Sequence, residues 1–279
     1  MAKIAAIQLK SSGQPKANLD AAAHVIGAAA RAGAQLVVLP EHFVYYNVRD
    51  TQAVAKAEAA KGLARQFFAE QAKQHDLWLV AGTLPLFAEP GAVKSPEAEG
   101  TAKPYATSLL YNAAGHEVAA YRKIHLFDVK VQKTGKRYCE SDRYHHGSDP
   151  VVAPSPCGKI GMSVCYDLRF AELYRQLTAQ GAEILVAPSA FTAATGQAHW
   201  QLLLRARAVE NLSYVVGANL CHRDHPKKPT WGGSAIIDPW GEVLAEMDSE
   251  EGFIIADIDL ARVKELRQNM PVLEHHRLP

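Results

Sequence analysis

The chain has little of what would tie it to a membrane, a nucleic acid or an oxidising compartment. Only four cysteines occur, at positions 139, 157, 165 and 221. No two have C-x-x-C spacing, and so few in 279 residues make neither a disulfide framework nor a dithiol redox motif. Neither sign of charge is in excess: 30 Lys and Arg against 29 Asp and Glu leave +1. No net field therefore draws the chain to nucleic acid or to an anionic lipid surface. No apolar run approaches the roughly 18 residues that span a bilayer. The longest, such as Leu36–Pro40 and Ile184–Pro188, have the length of buried strands. Residues 1–9 hold no basic segment followed by a signal-length apolar run. No G-x-G-x-x-G follows the first strand and no Walker segment exists, so nucleotide binding is not expected. What remains is a cytoplasmic α/β protein of ordinary composition, 48% apolar and 21% charged, long enough to bury a sizeable core.

Hydrophobic patterning predicts strands at Lys3–Leu9, Leu36–Leu39, Leu77–Ala81, Thr107–Asn112, Glu117–Arg122, Lys159–Val164, Glu183–Ala187, Ser213–Ala218, Gly233–Ile237, Glu242–Glu246 and Gly252–Asp257. It predicts helices at Asn18–Ala32, Gln52–His75, Arg169–Gln180, Gln197–Asn211 and Ile258–Arg267. Ala88–Tyr105 mixes Pro, Gly, Glu and Lys without period and reads as an exposed loop. Ile124–Pro150 is long, polar and irregular, a length of loop that is usually functional. Gly33–Phe43 is echoed by Gly181–Phe191: each has Gly-Ala, an apolar strand, a proline and an outward turn. A glycine corner recurs as well, in Ala114–Val118 and Trp240–Val243. The echo implies a pseudo-two-fold α/β sandwich, two sheets with helices on both outer faces. It favours one intertwined domain over residues 1–279, with an irregular tail from about residue 268.

Three strand ends carry reactive side chains: Glu41, Lys123 and Cys165. Strand ends are where open α/β sheets build their sites. Singly, each has a plain reading, a solvated charge or a small buried hydrophobe. Jointly they supply a nucleophile, a carboxyl that can accept and return a proton, and a cation for an oxyanion. A helix starting near Arg169 would favour the Cys165 thiolate, and the Tyr166 N–H is a second oxyanion donor. Glu41 and Lys123 are expected to matter for chemistry more than for stability. Metal binding by His145–His146 or His275–His276 is not expected, because neighbouring pairs point apart and no ligand spacing completes a site. Lys227–Lys228, in a Pro-rich turn, reads as a solvated loop tip. Cys139, Cys157 and Cys221 read as structural.

Leu39-Pro40-Glu41, Tyr121–Phe127 and Val164–Phe170 resemble the three signature segments of the nitrilase superfamily of carbon–nitrogen hydrolases. The resemblance extends over nearly the whole chain, including Arg205–Asn211 and Asp238–Gly241. It implies a four-layer αββα sandwich that forms homodimers or larger homo-oligomers. It implies that Glu41 is general base then acid, Lys123 the oxyanion stabiliser and Cys165 the nucleophile of a thioester mechanism. Tyr138-Cys139-Glu140-Ser141 matches a segment bearing a second glutamate in that family, which makes Glu140 the fourth catalytic candidate; a solvated loop carboxylate is the competing reading. With nucleophile, proton carrier and cation all present, no metal or organic cofactor is expected.

Cys165–Phe170, Pro188–Thr192 and Gly196–Ala208 look closest to the branch of deaminated glutathione amidases. That branch cleaves the amide joining a 2-oxoglutaryl group to cysteinylglycine. An ω-amidase or an N-carbamoyl-amine hydrolase would use the same residues with a different pocket. A non-catalytic binding protein of this fold is the remote alternative, disfavoured by the intact Glu41, Lys123 and Cys165. A small anionic substrate needs a cationic anchor. Arg169 is placed for that task, with an ion pair to Glu172 as its rival role. Tyr166, Phe191, Thr192 and His199 are expected around the same crevice, and Trp200 either there or in the core.

Overall fold

The computed structural model describes residues 1–59, 62–88, 103–132 and 134–277. In chain order its elements are β1 (Ala2–Gln8), α1 (Pro15–Arg31), β2 (Leu36–Val38), α2 (Thr51–Ala59), α3 (Leu63–His75), β3 (Trp78–Val80), β4 (Leu84–Leu86), β5 (Tyr105–Tyr111), β6 (Glu117–Arg122), β7 (Val129–Lys130), β8 (Arg137–Tyr138), β9 (Val151–Ala153), β10 (Ile160–Met162), α4 (Ala171–Ala179), β11 (Ile184–Ser189), α5 (Ala193–Asn211), β12 (Tyr214–Asn219), β13 (Ala235–Ile237), β14 (Val243–Glu246), β15 (Gly252–Ile258) and α6 (Leu260–Asn269). Short 3-10 turns lie at Glu140–Asp142 and Cys165–Arg169.

Two sheets carry the fold. The first runs β15-β1-β2-β3-β5-β4, with β6 also on β5; the second runs β14-β13-β12-β11-β10-β9. Each has three parallel central strands, β1-β2-β3 and β10-β11-β12, flanked by antiparallel neighbours. A hairpin, β5–β6 or β13–β14, finishes each half. The sequence echo thus reflects equivalent strands, since Gly33–Phe43 contains β2 and Gly181–Phe191 contains β11.

Side-chain alternation explains the layers. On β1 and β2, Ile4, Ala6, Leu36 and Val38 join a core shared with second-sheet residues such as Met162 and Val216. The intervening Ala5, Ile7, Val37 and Leu39 pack with Leu19, Val25 and Ile26 of α1 and Phe68 of α3. Both faces are covered, so these strands read as unbroken apolar runs. Each fully buried Ile or Leu contributes about 1.5–3 kcal/mol. Helices α4 and α5 pack on the second sheet as α1 and α3 do on the first, completing the αββα order.

The single helix expected at Gln52–His75 is two. Glu58 is fully buried and accepts the N–H groups of Ala64 (3.1 Å) and Arg65 (3.2 Å), capping α3 with the end of α2. A Cβ on Gly62 would lie 2.3 Å from Glu58 Cδ, so only glycine fits where the chain turns. Strands β4 and β9 form where no strand is expected, and β7–β8 is a short hairpin inside the long polar loop. Of the loop expected at Ala88–Tyr105, residues 89–102 lie outside the described residues, and Tyr105 opens β5.

Candidate active site

The three reactive strand ends converge. Glu41 follows β2 through Pro40, where Gly82 passes with φ +59°. A Cβ on Gly82 would lie 2.1 Å from the Pro40 carbonyl oxygen, so glycine is required beside the Glu41 turn. Lys123 leaves β6 with its N–H donating to the Ala106 carbonyl (2.9 Å) and its carbonyl accepting from the Gly147 N–H (2.8 Å). Its Nζ lies 2.8 Å from Glu41 Oε1, 3.0 Å from Glu140 Oε1 and 2.9 Å from Glu140 Oε2. Both carboxylates also accept backbone N–H groups. Glu41 Oε2 accepts the Ala190 N–H (3.1 Å), and Glu140 Oε2 accepts the Phe127 N–H (2.7 Å). Lys123 is 1% exposed, Glu41 2% and Glu140 6%, so this is a buried ionic cluster and Glu140 is no solvated loop carboxylate.

Burial works against every charge here, and the partners decide the outcome. For Glu140, burial acts upward, but the Lys123 ammonium and then His42 hold the carboxyl far below its usual value. For Lys123, burial acts downward and is overcome by Glu140 and Glu41, so the ammonium stays charged well above its usual range. Cys165 goes the other way. Burial first, and then the Glu41 charge, push its thiol well above the ordinary value; Lys123 and the Ala190 N–H offset only part. Cys165 therefore rests as a neutral thiol, not the helix-stabilised thiolate expected from the sequence. The expected helix is absent from that position: Cys165–Arg169 is a five-residue 3-10 turn and α4 begins at Ala171. So short a turn carries little dipole.

Asp167 shapes that turn. It is fully buried and accepts from the Val164 N–H (2.8 Å) and Tyr121 hydroxyl (2.8 Å) on Oδ2 and from the His125 N–H (3.0 Å) on Oδ1. His125 Nδ1 lies 2.7 Å from the same Oδ1, and its ring stacks on Phe170 at 3.6 Å. These contacts hold Cys165 at φ +50°, a left-handed conformation costing a non-glycine residue about 1–2 kcal/mol. Asp167→Ala should strand several buried donors at about 1–3 kcal/mol each. Thermal denaturation should show a large loss of stability, and steady-state kinetics a fall in kcat with KM little changed. Asp167→Asn, which retains one acceptor oxygen, should lie between. A normal kcat in the Ala variant would free the turn from Asp167.

The cluster and Cys165 border a cavity of about 310 Å³. Tyr166, Arg169, Phe191 and Thr192 line it as expected. His199 stands behind, its Nδ1 3.2 Å from Arg169 Nη2. Among the described residues no ion pair joins Arg169 to Glu172; the guanidinium instead lies 5.7 Å from the ring centres of both Tyr166 and Phe191. Trp200 is buried in the core, 4.9 Å from the Phe191 ring. Two expectations change. Lys228 is half-buried in the cavity wall, not at a solvated tip, because Tyr46 donates its hydroxyl to the Lys228 carbonyl (2.6 Å) and His225 Nδ1 accepts the Lys228 N–H (2.9 Å). Cys139 also lines the cavity, whereas Cys157 and Cys221 are buried in the fold.

His42 was not singled out from the sequence. Its Nε2 lies 3.5 Å from Glu41 Oε1 and 3.8 Å from Glu140 Oε1, and its ring stacks on Tyr144. Only its place directly after Glu41 gave a hint. Glu41, His42 and Glu140 bring ligand atoms within 4.8 Å of one another, and the cation lying against both carboxylates is the Lys123 ammonium.

The carbon-nitrogen hydrolase family profile matches residues 3–268. The chain is 40% identical over 273 residues to the deaminated glutathione amidase of Synechocystis sp. (strain PCC 6803 / GT-S), covering 97% of this chain and 96% of that protein. Its fold superposes on the crystal structure of the C. elegans NitFhit protein with a TM-score of 0.87 at 35% identity, covering 99% of this chain and 66% of that one. It also superposes on an amidase from Nesterenkonia sp. AN1, whose structure shows acrylamide added at the active site cysteine. That match has a TM-score of 0.75 at 25% identity, over 97% of this chain and 98% of that one.

Proposed function

Because this chain belongs to the carbon–nitrogen hydrolase family, we propose that it is an amidase that cleaves a linear amide through a thioester on Cys165, with deaminated glutathione as substrate. The observation carrying the proposal is the buried Glu41–Lys123–Glu140 cluster acting on the Cys165 thiol at the cavity. Cys165 Sγ attacks the amide carbon as Glu41 takes the thiol proton. The oxyanion is held by the Lys123 ammonium and by the Tyr166 N–H, which starts a helical turn and has no acceptor within it. Glu41 then returns the proton to the departing amine, leaving the acyl group on sulfur. A water enters, Glu41 takes its proton, the hydroxyl attacks the thioester carbon, the C–S bond breaks, and Glu41 returns the proton to sulfur as the acid leaves. Glu140 stays ionised throughout and holds Lys123 in place.

The 2-oxoglutaryl half of this substrate is anionic, and Arg169 is the cation nearest the nucleophile in sequence that lines the cavity. His199 and two aromatic rings fix its fork. A guanidinium matches a carboxylate bidentately, and an ammonium does not reproduce that geometry. Arg169→Lys should raise KM for 2-oxoglutaryl amides by about tenfold or more. For a neutral amide of equal length, KM should change less than about twofold, because only ground-state binding is lost. Steady-state kinetics on both substrates and a melting curve check this. Equal losses on both, with lower stability, would make Arg169 structural. Amine release from a panel of 2-oxo acid amides, ω-amides and N-carbamoyl amines tests the substrate; a preference for either of the last two would replace it.

The same reading includes a homodimer or larger homo-oligomer in the cytoplasm. Leu202 and Val209, two turns apart on one face of α5, are 68% and 48% exposed. Trp240, 56% exposed, extends this face, since Gly241 packs against Val209. Four free cysteines suit a reducing compartment.

A further inference from the structure

The cavity wall holds a second group of cations that the reaction does not use. Lys136, Arg143 and Lys228 all line it, and they come from two separate stretches of chain, the segment between β7 and β9 and the loop after β12. Arg143 Nη1 donates to the Val48 carbonyl at 3.5 Å and its guanidinium lies 5.9 Å from the Tyr144 ring centre. Lys136 donates to the Lys227 carbonyl and lies 5.2 Å from the Tyr138 ring centre. Lys228 lies 5.9 Å from the Tyr46 ring centre. Among the described residues, no carboxylate forms an ion pair with any of the three.

Their backbone is built, not loose. Tyr46 and His225 clamp Lys228, and the Ala193 N–H donates to the Pro229 carbonyl at 2.9 Å, tying the loop to the start of α5. Partial burial, and then Arg143, Lys136 and Arg49, push the Lys228 ammonium below its usual value. Like charges gathered without a counter-ion are a net cost to the fold. An anion entering the cavity removes that cost.

The negative charge cannot be met at the catalytic cluster, where two carboxylates face one ammonium. Nor is it the charge met by Arg169, which packs on different rings, those of Tyr166 and Phe191. The cavity thus has two cationic stations packed on different rings. In a 2-oxoglutaryl dipeptide, the dipeptide's carboxylate lies farther from the scissile carbon than the 2-oxo acid's own. Arg169, in the same turn as Cys165, suits the nearer end, and the outer group suits the farther one.

We infer that Lys136, Arg143 and Lys228 bind the carboxylate of the departing amine, so that the site selects amides whose leaving group is an amino acid or short peptide with a free C-terminus. The inference rests on the amidase reading above and adds the recognition of the leaving half. Calorimetric titration of the Cys165→Ala protein tests it without turnover, using 2-oxoglutaryl-cysteinylglycine and its C-terminal carboxamide. The free carboxylate should bind about tenfold tighter or more. Lys228→Gln and Arg143→Gln should each cut that preference to about threefold or less, while leaving carboxamide affinity within about twofold; Lys228→Arg should restore it. Melting curves on each variant confirm that it folds. A third ligand, butyryl-cysteinylglycine, lacks the acyl-end charge. If it binds as well as the 2-oxoglutaryl compound, the proposed acyl group is wrong, and the carboxylate preference still stands or falls separately. Equal binding of carboxylate and carboxamide by the parent protein, or no binding of either, overturns the inference.

Discussion

Cys165→Ala should abolish amide hydrolysis, a loss on the order of a million-fold for a removed nucleophile, and should leave the protein folded. The two effects separate for a structural reason. In the proposed mechanism the thiol forms the acyl bond, and Glu41 activates it by taking its proton, since the resting thiol is neutral. The turn itself does not depend on the sulfur. It is held by Asp167 through Val164, Tyr121 and His125. Alanine meets the same left-handed penalty as cysteine at φ +50°, so that strain is unchanged. What is lost is burial of one small group, about 1 kcal/mol, or about 2–4 °C in melting temperature for a large domain. Intact-mass spectrometry during turnover should find the acyl adduct on the parent protein and none on the variant. Turnover surviving in the variant, or an adduct on Cys139 instead, would remove Cys165 from the mechanism.

Glu41, Lys123 and Cys165 could be picked out in the sequence because each stands at or shortly after the end of a strand, and the strand marks the place where the side chain emerges. Glu140 was legible only by local similarity. Its stretch, between β8 and β9, has no periodicity to read, because polar contacts hold it: Asp128 accepts the Ser141 N–H at 3.0 Å, and Lys123 grips Glu140 itself. Asp167 and His42 were missed for another reason. Their partners, Tyr121, His125 and Glu140, lie far away in sequence and meet only in the fold. One local signal for Asp167 existed: it stands three residues past Val164 and reaches back to the Val164 N–H, as the acidic half of a capping box does. The break between α2 and α3 was hidden because Glu58 looks like any surface helix residue until Gly62 lets the chain close over it. Lys228 was misplaced because a Pro-rich turn says where the chain bends and not which way its side chains face.

Burial also revises the expectation that Lys123 matters for chemistry more than for stability. Lys123→Ala should lower kcat by about a hundred- to a thousand-fold, the usual cost of one preorganised oxyanion donor. It should also destabilise the fold, because Glu41 and Glu140 would remain buried side by side without their cation. Removing one partner of a buried pair costs about 3–5 kcal/mol, a fall in melting temperature on the order of 10 °C. The pH dependence identifies the cause. In the parent protein Lys123 and His42 depress the Glu140 carboxyl, so its stabilising contribution is present above its unfolded value and is lost as pH falls toward the folded one. In the variant the depressing charge of Lys123 is gone, while burial and the neighbouring carboxylate both act upward, so the folded state takes up a proton more readily than the unfolded chain. The variant therefore gains stability as pH falls from neutral toward the ordinary carboxylate range, where the parent gains nothing from this group. Melting curves of both proteins between pH 7 and about pH 5 should show the gap closing as acid is added. A gap that stays constant with pH would mean that the lost stability comes from packing of the lysine stem and not from stranded charge.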